Sequence, residues 1–490
     1  MENKTFLILL SLIILIGCTN NNSQQDYISD IETIENGLLP VILTEGEDTQ
    51  TLNIHERMRY YNVPGVSIAF MDHGDIIWAK GYGYTSFDST TAVDPYTLFQ
   101  AASISKPVAA MAALHLVEEG KLGLDDNVND HLTGWQVEEN RFTRDEKVTL
   151  RRILSHSSGL TVHGFAGYSN NDTVPGIIDV LNGKGTANSG RIYPDTIPGS
   201  IYRYSGGGYT VMQKMLCDIT KKDFPDLMNE YVLAPIGMES STYIQPLPIE
   251  LESNAALAYR VDGTVVEGKW HTYPEMAAAG LWTNPTDLLK YAIEVQKSLY
   301  GKSNKVISKE MAREMLKPQI NSHGLGPGVE GKNRSATFGH GGANEGYRCQ
   351  LYVFSHNGQG VAIMTNSDNG DRLTGEILRA FSSIYNWDNY KPIRKKIVKI
   401  ELEKLNELEG DYILERPNDE LIVNFSVKDN HLEGLQIWDN FKFEIYPESE
   451  ELFFNKEDRA SFKFVKNNKG EITRVIIQDQ WHFVRKNELE

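Results

Sequence analysis

The chain has 490 residues and, with 48 Lys and Arg against 66 Asp and Glu, a formal net charge of −18 at pH 7. Apolar residues make up 40% of the sequence, which supports a sizeable core and excludes wholesale disorder. The excess of acid argues against nucleic acid as a partner, since phosphate binding needs clustered Lys and Arg. A length of this order predicts two or three domains.

The three cysteines, Cys18, Cys217 and Cys349, are far apart and form no Cys-x-x-Cys pair. This spacing excludes a zinc ribbon, a thioredoxin-like site and a disulfide scaffold. Acidic residues and histidines also show no metal-ligand spacing along the chain, so we predict no metal and no other cofactor.

The first residues have the pattern of an export signal. Lys4 precedes an apolar run at residues 6–16, which is shorter than the roughly 20 residues needed to cross a bilayer. The run ends in Leu15-Ile16-Gly17-Cys18, which resembles the lipobox of bacterial lipoproteins. In that family the signal is cut just before the cysteine, whose thiol is acylated.

This resemblance implies a signal peptide at residues 1–17 and a lipid-modified Cys18 at the mature N-terminus. The protein would then be exported and attached to a membrane by its lipid, facing the periplasm or the cell exterior. Residues 19–25 are polar and uncharged, and a segment that cannot pack predicts a flexible tether, which we place at residues 18–38.

Residues 39–390 predict a mixed α+β domain, because strand-like runs lie at both ends and helical runs lie between them. Apolar runs around short polar turns predict β-hairpins at residues 66–79 and 348–366. A single sheet would therefore join N-terminal and C-terminal strands. Helical spacing predicts helices at residues 108–119, 209–220 and 286–296.

A linker and a second domain are predicted at residues 391–490. This part opens with a basic run at residues 391–399, which marks a boundary in an otherwise acidic protein. Short alternating strands with hairpin turns follow from residue 412 to residue 484. They predict a small antiparallel β-domain, either a barrel or a sandwich. This domain contains no recognisable catalytic combination of residues.

The most informative motif is Ala102-Ser103-Ile104-Ser105-Lys106-Pro107, just before the first predicted helix. Ser103 and Lys106 are three residues apart, so on a helix they lie on one face. A helix start stabilises negative charge, and a partly desolvated lysine one turn further on can accept the serine proton. The alternative role of Ser103 is that of a plain helix N-cap.

With its surroundings, this motif resembles the β-lactamase-related serine hydrolases, which comprise class C β-lactamases, D-alanyl-D-alanine peptidases and esterases. The resemblance implies the β-lactamase/penicillin-recognising fold, in which a helical region is inserted into an antiparallel sheet. It also implies that Ser103 is the acylated nucleophile and that Lys106 is the motif lysine. The similarity covers about residues 53–366 and includes the blocks Val63-Pro64-Gly65-Val66-Ser67, Leu154-Ser155-His156-Ser157-Ser158-Gly159-Leu160 and Pro235-Ile236-Gly237-Met238.

The second motif of this family, Tyr-x-Asn or Tyr-Ser-x, matches Tyr204-Ser205-Gly206. The resemblance implies that Tyr204 relays a proton, and with an ordinary pKa of ~10 it needs a nearby cation such as Lys106 to do so at neutral pH. Tyr168-Ser169-Asn170 matches the consensus letters better but lacks the flanking glycines, so we prefer Tyr204. Gly206 replaces the asparagine that contacts the substrate amide, which weakens the case for β-lactam or peptide substrates.

The third motif, Lys-Thr-Gly or His-x-Gly, matches His340-Gly341-Gly342, which Ala343 follows. The resemblance implies that His340 supports the tyrosine network or a substrate acid group. Gly341 and Gly342 would let a substrate approach the strand backbone closely. The N–H groups of Ser103 and Ala343 would form the oxyanion hole.

Three further polar residues lie close to these motifs in the sequence or in the family pattern. We interpret His156 as structural and leave His163 undecided. Glu275 is expected to form an ion pair or a hydrogen-bonded turn rather than to act as a second acid–base group.

The leading prediction is a serine hydrolase that acts through an acyl-enzyme on Ser103, on an ester or a D-amino-acid amide in the cell envelope. The first alternative is a β-lactamase or β-lactam-binding protein, and the second is a non-catalytic envelope receptor or sensor of the same fold. The expected partners are a small-molecule or peptide substrate and, through the lipid, a membrane. The oligomeric state stays open.

Overall fold

The computed structural model describes residues 19–416 and 421–486, and their side chains from residue 27 onwards. The predicted signal peptide and Cys18 lie outside these residues. Within the described part, the search for a helix both long enough and apolar enough to cross a membrane finds none.

The helices and strands follow in chain order. The helices are α1 (Thr19–Asn36), α2 (Ile54–Tyr60), α3 (Ser105–Glu118), α4 (Leu150–Leu154), α5 (Ile177–Asn182), α6 (Gly206–Thr220), α7 (Phe224–Met228), α8 (Ala234–Ile236), α9 (Ile249–Glu252), α10 (Met276–Ala279), α11 (Pro285–Leu299), α12 (Lys309–Met315), α13 (Gly370–Ile384) and α14 (Leu402–Asn406). The first ten strands are β1 (Ile42–Thr44), β2 (Gly65–Asp72), β3 (Asp75–Gly83), β4 (Phe99–Gln100), β5 (Trp282–Thr283), β6 (Gly328–Glu330), β7 (Thr337–Asn344), β8 (Tyr347–Phe354), β9 (Gly360–Thr365) and β10 (Ile393–Lys395).

A six-stranded antiparallel sheet in the order β3-β2-β9-β8-β7-β6 organises the first domain. The N-terminal hairpin β2–β3 joins the C-terminal strands through the pairing of β2 with β9, where Val66 lies opposite Thr365. This arrangement confirms the predicted α+β fold, in which one sheet contains strands from both ends of the domain. Every residue of β2 is buried, because the sheet is covered on both faces.

Two apolar cores lie on the two faces of this sheet. The larger core includes the start of α3, where all residues from Ser105 to Leu114 are buried. The smaller core, between the sheet and α13, is rich in aromatic rings, and Phe381 stacks on Trp387 with the ring centroids 5.8 Å apart. The site described below lies on the side of the larger core.

The segment predicted as a flexible tether is helical, because α1 runs through Thr19–Asn36. Ile34 is fully buried in the smaller core, and Glu35 accepts hydrogen bonds from Lys80 (2.5 Å) and Tyr82 (2.9 Å) on β3. The prediction of an irregular segment was therefore wrong. The apolar residues of the second half of α1 have a surface on the sheet on which to pack, and that surface is formed only in the tertiary structure.

The C-terminal residues form a closed eight-stranded antiparallel barrel, which confirms the predicted small β-domain and decides for a barrel over a sandwich. Buried aromatic rings from several strands fill its interior, among them those of Tyr412, Phe425 and Phe464. The strands are β11 (Gly410–Leu414), β12 (Ile422–Lys428), β13 (His431–Gln436), β14 (Lys442–Pro447), β15 (Leu452–Phe454), β16 (Ser461–Lys466), β17 (Ile472–Ile477) and β18 (Trp481–Arg485).

The connection between the two domains packs on the first domain before it reaches the barrel. Strand β10 pairs in parallel with β1, and Ile393 lies opposite Ile42. Further on, the N–H of Val398 donates to the carbonyl oxygen of Pro447 at 3.0 Å, which attaches the connection to the barrel. The basic run predicted as a boundary is thus an ordered bridge between the domains.

A buried ion pair joins α2 to α13. Glu376 is 2% exposed and accepts hydrogen bonds from Arg57 Nη2 at 2.7 Å, Arg57 Nε at 2.9 Å and the Tyr61 hydroxyl at 2.8 Å. We expect Glu376→Ala to lower the free energy of unfolding by about 3 kcal/mol, because removing one partner leaves the other charge buried and unpaired. Denaturant unfolding followed by circular dichroism measures this loss. The exposed Glu56→Ala on α2 is the control, and an equal loss in both variants contradicts the assignment.

Candidate active site

Ser103 lies in a 3₁₀ turn, Ala102–Ile104, directly before α3 rather than inside the α-helix. Ala102 has a φ of +49°, which is uncommon for a residue with a side chain. The N–H of Ala101 donates to the carbonyl oxygen of Leu281 at 2.8 Å, and this bond helps to hold the turn in place. The strained turn is therefore stabilised by tertiary contacts, which is a common property of functional sites.

Strand β7 passes this turn so closely that only glycine fits at position 342. A Cβ atom on Gly342 would lie 2.3 Å from the carbonyl oxygen of Ala101, far inside van der Waals contact. The absence of a side chain thus brings the backbone at Ala343 next to the serine turn. This is the arrangement that an oxyanion hole formed by Ser103 and Ala343 requires.

Lys106, in the first turn of α3, is the buried amine of the site and is 2% exposed. Its Nζ donates to Ser103 Oγ at 3.0 Å and to the carbonyl oxygen of Ala278 on α10 at 2.7 Å. Burial lowers the pKa of Lys106 to about 7, because desolvation disfavours the charged ammonium. Near neutral pH a large fraction of the side chain is therefore an uncharged amine, which can accept the serine proton.

Tyr204 directly precedes α6, where Ser205 is the helix N-cap and accepts the N–H of Gly208 at 2.9 Å. The ring of Tyr204 faces Lys106, whose Nζ lies 4.9 Å from the ring centroid. Its buried hydroxyl has no hydrogen-bond partner among the residues that the structure describes. Burial raises the pKa of Tyr204, and the nearby Ser103 opposes this shift only in part. The phenol is therefore protonated at neutral pH and is suited to donate a proton.

The alternative tyrosine, Tyr168, occupies a different environment. It is 1% exposed, its backbone pairs with Thr272, and its hydroxyl accepts the N–H of Asn188 at 3.1 Å. The structure places Tyr204 and not Tyr168 beside Lys106. The choice that sequence context favoured therefore agrees with the geometry.

The predicted residues converge on one cleft of about 600 Å³. Cys349 also borders it as a free thiol, while the second free thiol, Cys217, lies on α6. The sequence analysis did not identify Phe165, Tyr202, Gln350 and Asp371, which also line the cleft. The predicted residues that line it are Ser103, Lys106, Tyr204, His340, Gly341, Gly342 and Ala343.

His340 points into this cleft from β7. Its Nδ1 donates to the carbonyl oxygen of Gly341 at 2.6 Å, which leaves the lone pair on Nε2. Burial and the neighbouring Lys106 lower the pKa of His340 to about 3, so the ring is neutral over the physiological range. A neutral His340 can orient neighbouring groups by accepting a hydrogen bond, but it provides little charge for a substrate acid group.

His340 belongs to a cluster of three histidines that no pattern in the sequence indicated. One ring nitrogen each of His156, His323 and His340 lies within 4.8 Å of the other two, and the three Nε2 atoms are buried without a hydrogen-bond partner. His323 lies in a glycine-rich segment far from the other two in the chain. Residue spacing therefore gave no sign of the cluster, although three imidazoles are a common ligand set for zinc.

The tautomers decide what this cluster can bind. The N–H of Ser205 donates to His156 Nδ1 at 3.1 Å, so the proton of this neutral ring is on Nε2 and points into the cluster. A metal needs a lone pair from each ligand, whereas His340 offers a lone pair and His156 offers a proton. This donor set suits one hydrogen-bonded water better than a metal ion.

His156, His163 and Glu275 lie in three different environments around the cleft. The ring of His156 stacks on that of Tyr204 with the centroids 4.0 Å apart, in agreement with a structural role, and His163 lines the cleft. Glu275 is fully buried without an ion pair, contrary to one expectation, and burial raises its pKa to about 7. Its backbone carbonyl instead accepts the N–H of Ala278 and positions α10.

Comparison with known proteins places the chain in a family. The family model described as Beta-lactamase matches residues 52–381, about two thirds of the chain. The protein therefore belongs to the beta-lactamase family, as the three motifs predicted.

Particular relatives are distant. The "Protein flp" of Staphylococcus aureus (strain MW2) is 25% identical over 265 residues, and the matched stretch covers 52% of this chain and 51% of that protein. The chain thus spans about half the length of this relative. A penicillin-binding protein of Bacillus subtilis (strain 168) is 22% identical over 437 residues, with 83% of this chain and 91% of that protein covered.

Solved structures show the same fold. An octameric penicillin-binding protein homologue from Pyrococcus abyssi matches with a TM-score of 0.61 and 21% identity, covering 88% of this chain and 98% of that chain. The D-amino acid amidase from Ochrobactrum anthropi SV3 matches with a TM-score of 0.52 and 20% identity, covering 68% of this chain and 97% of that chain. Likenesses at this level of identity show the fold alone.

The depressed pKa of Lys106 predicts the pH dependence of acylation. Because only the neutral amine accepts the serine proton, we expect kcat/KM for a neutral ester to rise with pH and to level off above about 7. Steady-state kinetics between pH 5 and 9 measure the midpoint. A kcat/KM that still rises about tenfold per pH unit at pH 9, as for a lysine with an ordinary pKa of about 10, contradicts the assignment of Lys106 as base.

Proposed function

We propose that the protein is a serine hydrolase that forms an acyl-enzyme on Ser103, with an ester or a D-amino-acid amide of the cell envelope as its substrate. The observation that carries this proposal is the 3.0 Å contact between Lys106 Nζ and Ser103 Oγ, made by an amine whose pKa is about 7. Such a pair activates a serine without a histidine.

The proposed steps assign one role to each group. Ser103 Oγ attacks the substrate carbonyl while neutral Lys106 takes its proton, and the N–H groups of Ser103 and Ala343 stabilise the oxyanion. Tyr204, which its raised pKa keeps protonated, donates its proton to the leaving group and is reprotonated from Lys106. Water then hydrolyses the acyl-enzyme by the reverse proton path.

Gly206 supports an ester over a β-lactam as the substrate. The asparagine expected at this position in the family would offer an amide to the substrate, whereas Gly206 begins α6 and donates its N–H to the carbonyl oxygen of His163 at 2.9 Å. A Cβ atom there would lie 3.0 Å from that oxygen, so a larger side chain is crowded. The D-amino acid amidase among the structural neighbours supports the amide alternative.

Removing the nucleophile tests the proposal directly. We expect Ser103→Ala to abolish covalent labelling by a fluorophosphonate and to reduce the turnover of p-nitrophenyl esters by several orders of magnitude. Tyr204→Phe should be nearly as damaging, because nucleophile and proton transfer act as a unit. Intact-protein mass spectrometry and ester kinetics measure both effects, with a D-alanyl peptide and nitrocefin as further substrates.

Tyr168→Phe is the matched control for Tyr204→Phe, since it removes the same atom from a buried tyrosine outside the cleft. It should retain turnover and lose about 1 kcal/mol of stability with its hydrogen bond from Asn188. A folded Ser103→Ala protein that hydrolyses its best ester at the wild-type rate refutes the hydrolase proposal. Wild-type protein that neither labels nor turns over any substrate favours the non-catalytic receptor instead.

We further propose that Cys18 is lipid-modified and attaches the protein to a membrane, as its lipobox-like sequence indicates. In a bacterial host fed with a labelled fatty acid, the wild type should carry the label and sediment with membranes. Cys18→Ser should lose the label and become soluble or retain an uncut signal. An unlabelled wild type that is cleaved at another position contradicts this proposal.

A further inference from the structure

A second pocket, of about 240 Å³, adjoins the catalytic cleft and has no role in the proposed acylation chemistry. The two spaces share the lining residues Tyr204, His340, Gly341 and Gln350, so they are continuous along β7. The far wall of the second pocket is formed by Glu330 at the end of β6, Tyr352 on β8 and Tyr390 in the connection after α13. The second pocket therefore lies next to the cleft that contains Ser103.

Glu330, an exposed residue at the end of β6, gives the rim of this pocket a negative charge. It is the only carboxylate among the lining residues, which include no Lys or Arg. The two lining histidines, His323 and His340, are neutral because burial lowers the pKa of the first to about 4 and of the second to about 3. In the described part of the chain, the side chain of Glu330 makes no ion pair or hydrogen bond.

Asp371, the carboxylate that lines the catalytic cleft, differs from Glu330 because it forms an ion pair. Asp371 is paired with Arg348, whose Nε lies 3.3 Å from Asp371 Oδ2. The protein itself thus supplies a cation to Asp371 but not to Glu330. The second pocket is where a cation from a ligand would be stabilised.

Two tyrosine rings stand beside this carboxylate. The rings of Tyr352 and Tyr390 are nearly perpendicular, at 88°, with their centroids 4.9 Å apart. Both rings line the same pocket as the Glu330 carboxylate. Aromatic faces next to a carboxylate are the usual surroundings of a bound organic cation.

This wall is held rigidly. The Tyr352 hydroxyl accepts a hydrogen bond from Asn389 Nδ2 at 2.7 Å. Tyr390 adopts a φ of +60°, a left-handed conformation that is unfavourable for a bulky side chain. Strain of this kind persists only where the surrounding structure enforces it, and it is concentrated at functional sites.

We propose that the second pocket is a subsite for an organic cation, a primary or quaternary ammonium group, at the far end of an extended substrate whose reacting carbonyl lies at Ser103. The proposal rests on the serine hydrolase function proposed above. Glu330 pairs with Thr337 on β7, about 20 Å along that strand from Ala343 at about 3.3 Å per residue. The cation therefore belongs to a long substrate and not to a small acyl group.

Matched ester pairs test this subsite. Each pair consists of an ester that ends in a trimethylammonium group and an ester that ends in its neutral isostere, a tert-butyl group. The first pair carries this end group on the acyl chain, and the second pair carries it on the alcohol. We expect the wild type to prefer the cationic ester about tenfold in kcat/KM in at least one pair. Glu330→Gln should reduce this ratio to about one.

The control is Glu310→Gln, which makes the same charge change at an exposed residue of α12 that lines neither pocket. It should keep the wild-type ratio. The subsite is refuted if neither pair shows a preference for the cation, or if the preference survives in Glu330→Gln.

Direct binding separates this proposal from the hydrolase proposal. Calorimetric titration with hexyltrimethylammonium should show binding to the wild type that weakens at least fivefold in Glu330→Gln and in Tyr390→Leu, with circular dichroism confirming that both variants fold. If no ester is hydrolysed but this binding pattern holds, the hydrolase proposal fails and the subsite stands. If esters are hydrolysed but the ammonium ion binds wild type and Glu330→Gln equally or not at all, the subsite fails.

Discussion

The desolvation of Lys106 is the constraint on which the rest of the site depends. An exposed lysine is charged at neutral pH and cannot act as a base, whereas this amine is 2% exposed and has a pKa of about 7. Burying it is costly unless its protons find acceptors. Ser103 Oγ, the Ala278 carbonyl oxygen and the ring of Tyr204 provide these contacts. Two of these groups, Ser103 Oγ and Tyr204, are also the ones to which the proposed mechanism gives a proton-transfer role with Lys106, whereas the Ala278 carbonyl oxygen only stabilises the buried amine.

The fold provides this environment by bringing three separate elements together. Helix α3 carries Ser103 and Lys106 close to its start, α10 contributes a carbonyl oxygen, and β7 passes the serine turn at Gly342. The sheet that contains β7 is anchored on both faces by apolar cores, so its distance from α3 is fixed by close packing. A side chain at position 342 would separate the sheet from the helical region and displace Ser103 and Lys106 together.

The distribution of charge around the cleft follows from the same burial. The histidines near Lys106 have lowered pKa values and are neutral, and the carboxylate of Asp371 is paired with Arg348. Glu330, an exposed residue of the adjoining pocket, makes no ion pair with any residue that the structure describes. Tyr390, which helps to enclose that pocket, comes from the connection that leads to the barrel. The path of the chain between the two domains thus shapes the space beside the site, although no described residue of the barrel lines either pocket.

Features with a local signature were predictable from the sequence. Hairpins and helices follow from residue periodicity, so the α+β domain, the sheet shared by strands from both ends and the separate β-domain were all predicted correctly. The three short motifs occur in the order of the family, so Ser103, Lys106, Tyr204 and His340 could be selected as neighbours before any coordinates were known. The fold, and the grouping of these four residues in one cleft, therefore follow from the sequence itself.

Other features depend on contacts between distant residues and were decided only by the tertiary structure. Nothing near Lys106 in the chain reveals its desolvation, and nothing near His323 reveals that it lies beside His156 and His340. The helical conformation of α1 also depends on contacts between distant residues. So does the fact that Glu275 and Glu330 form no ion pair with any described residue. Burial and electrostatic environment depend on which surfaces meet across the fold, whereas sequence patterns report only on neighbours along the chain.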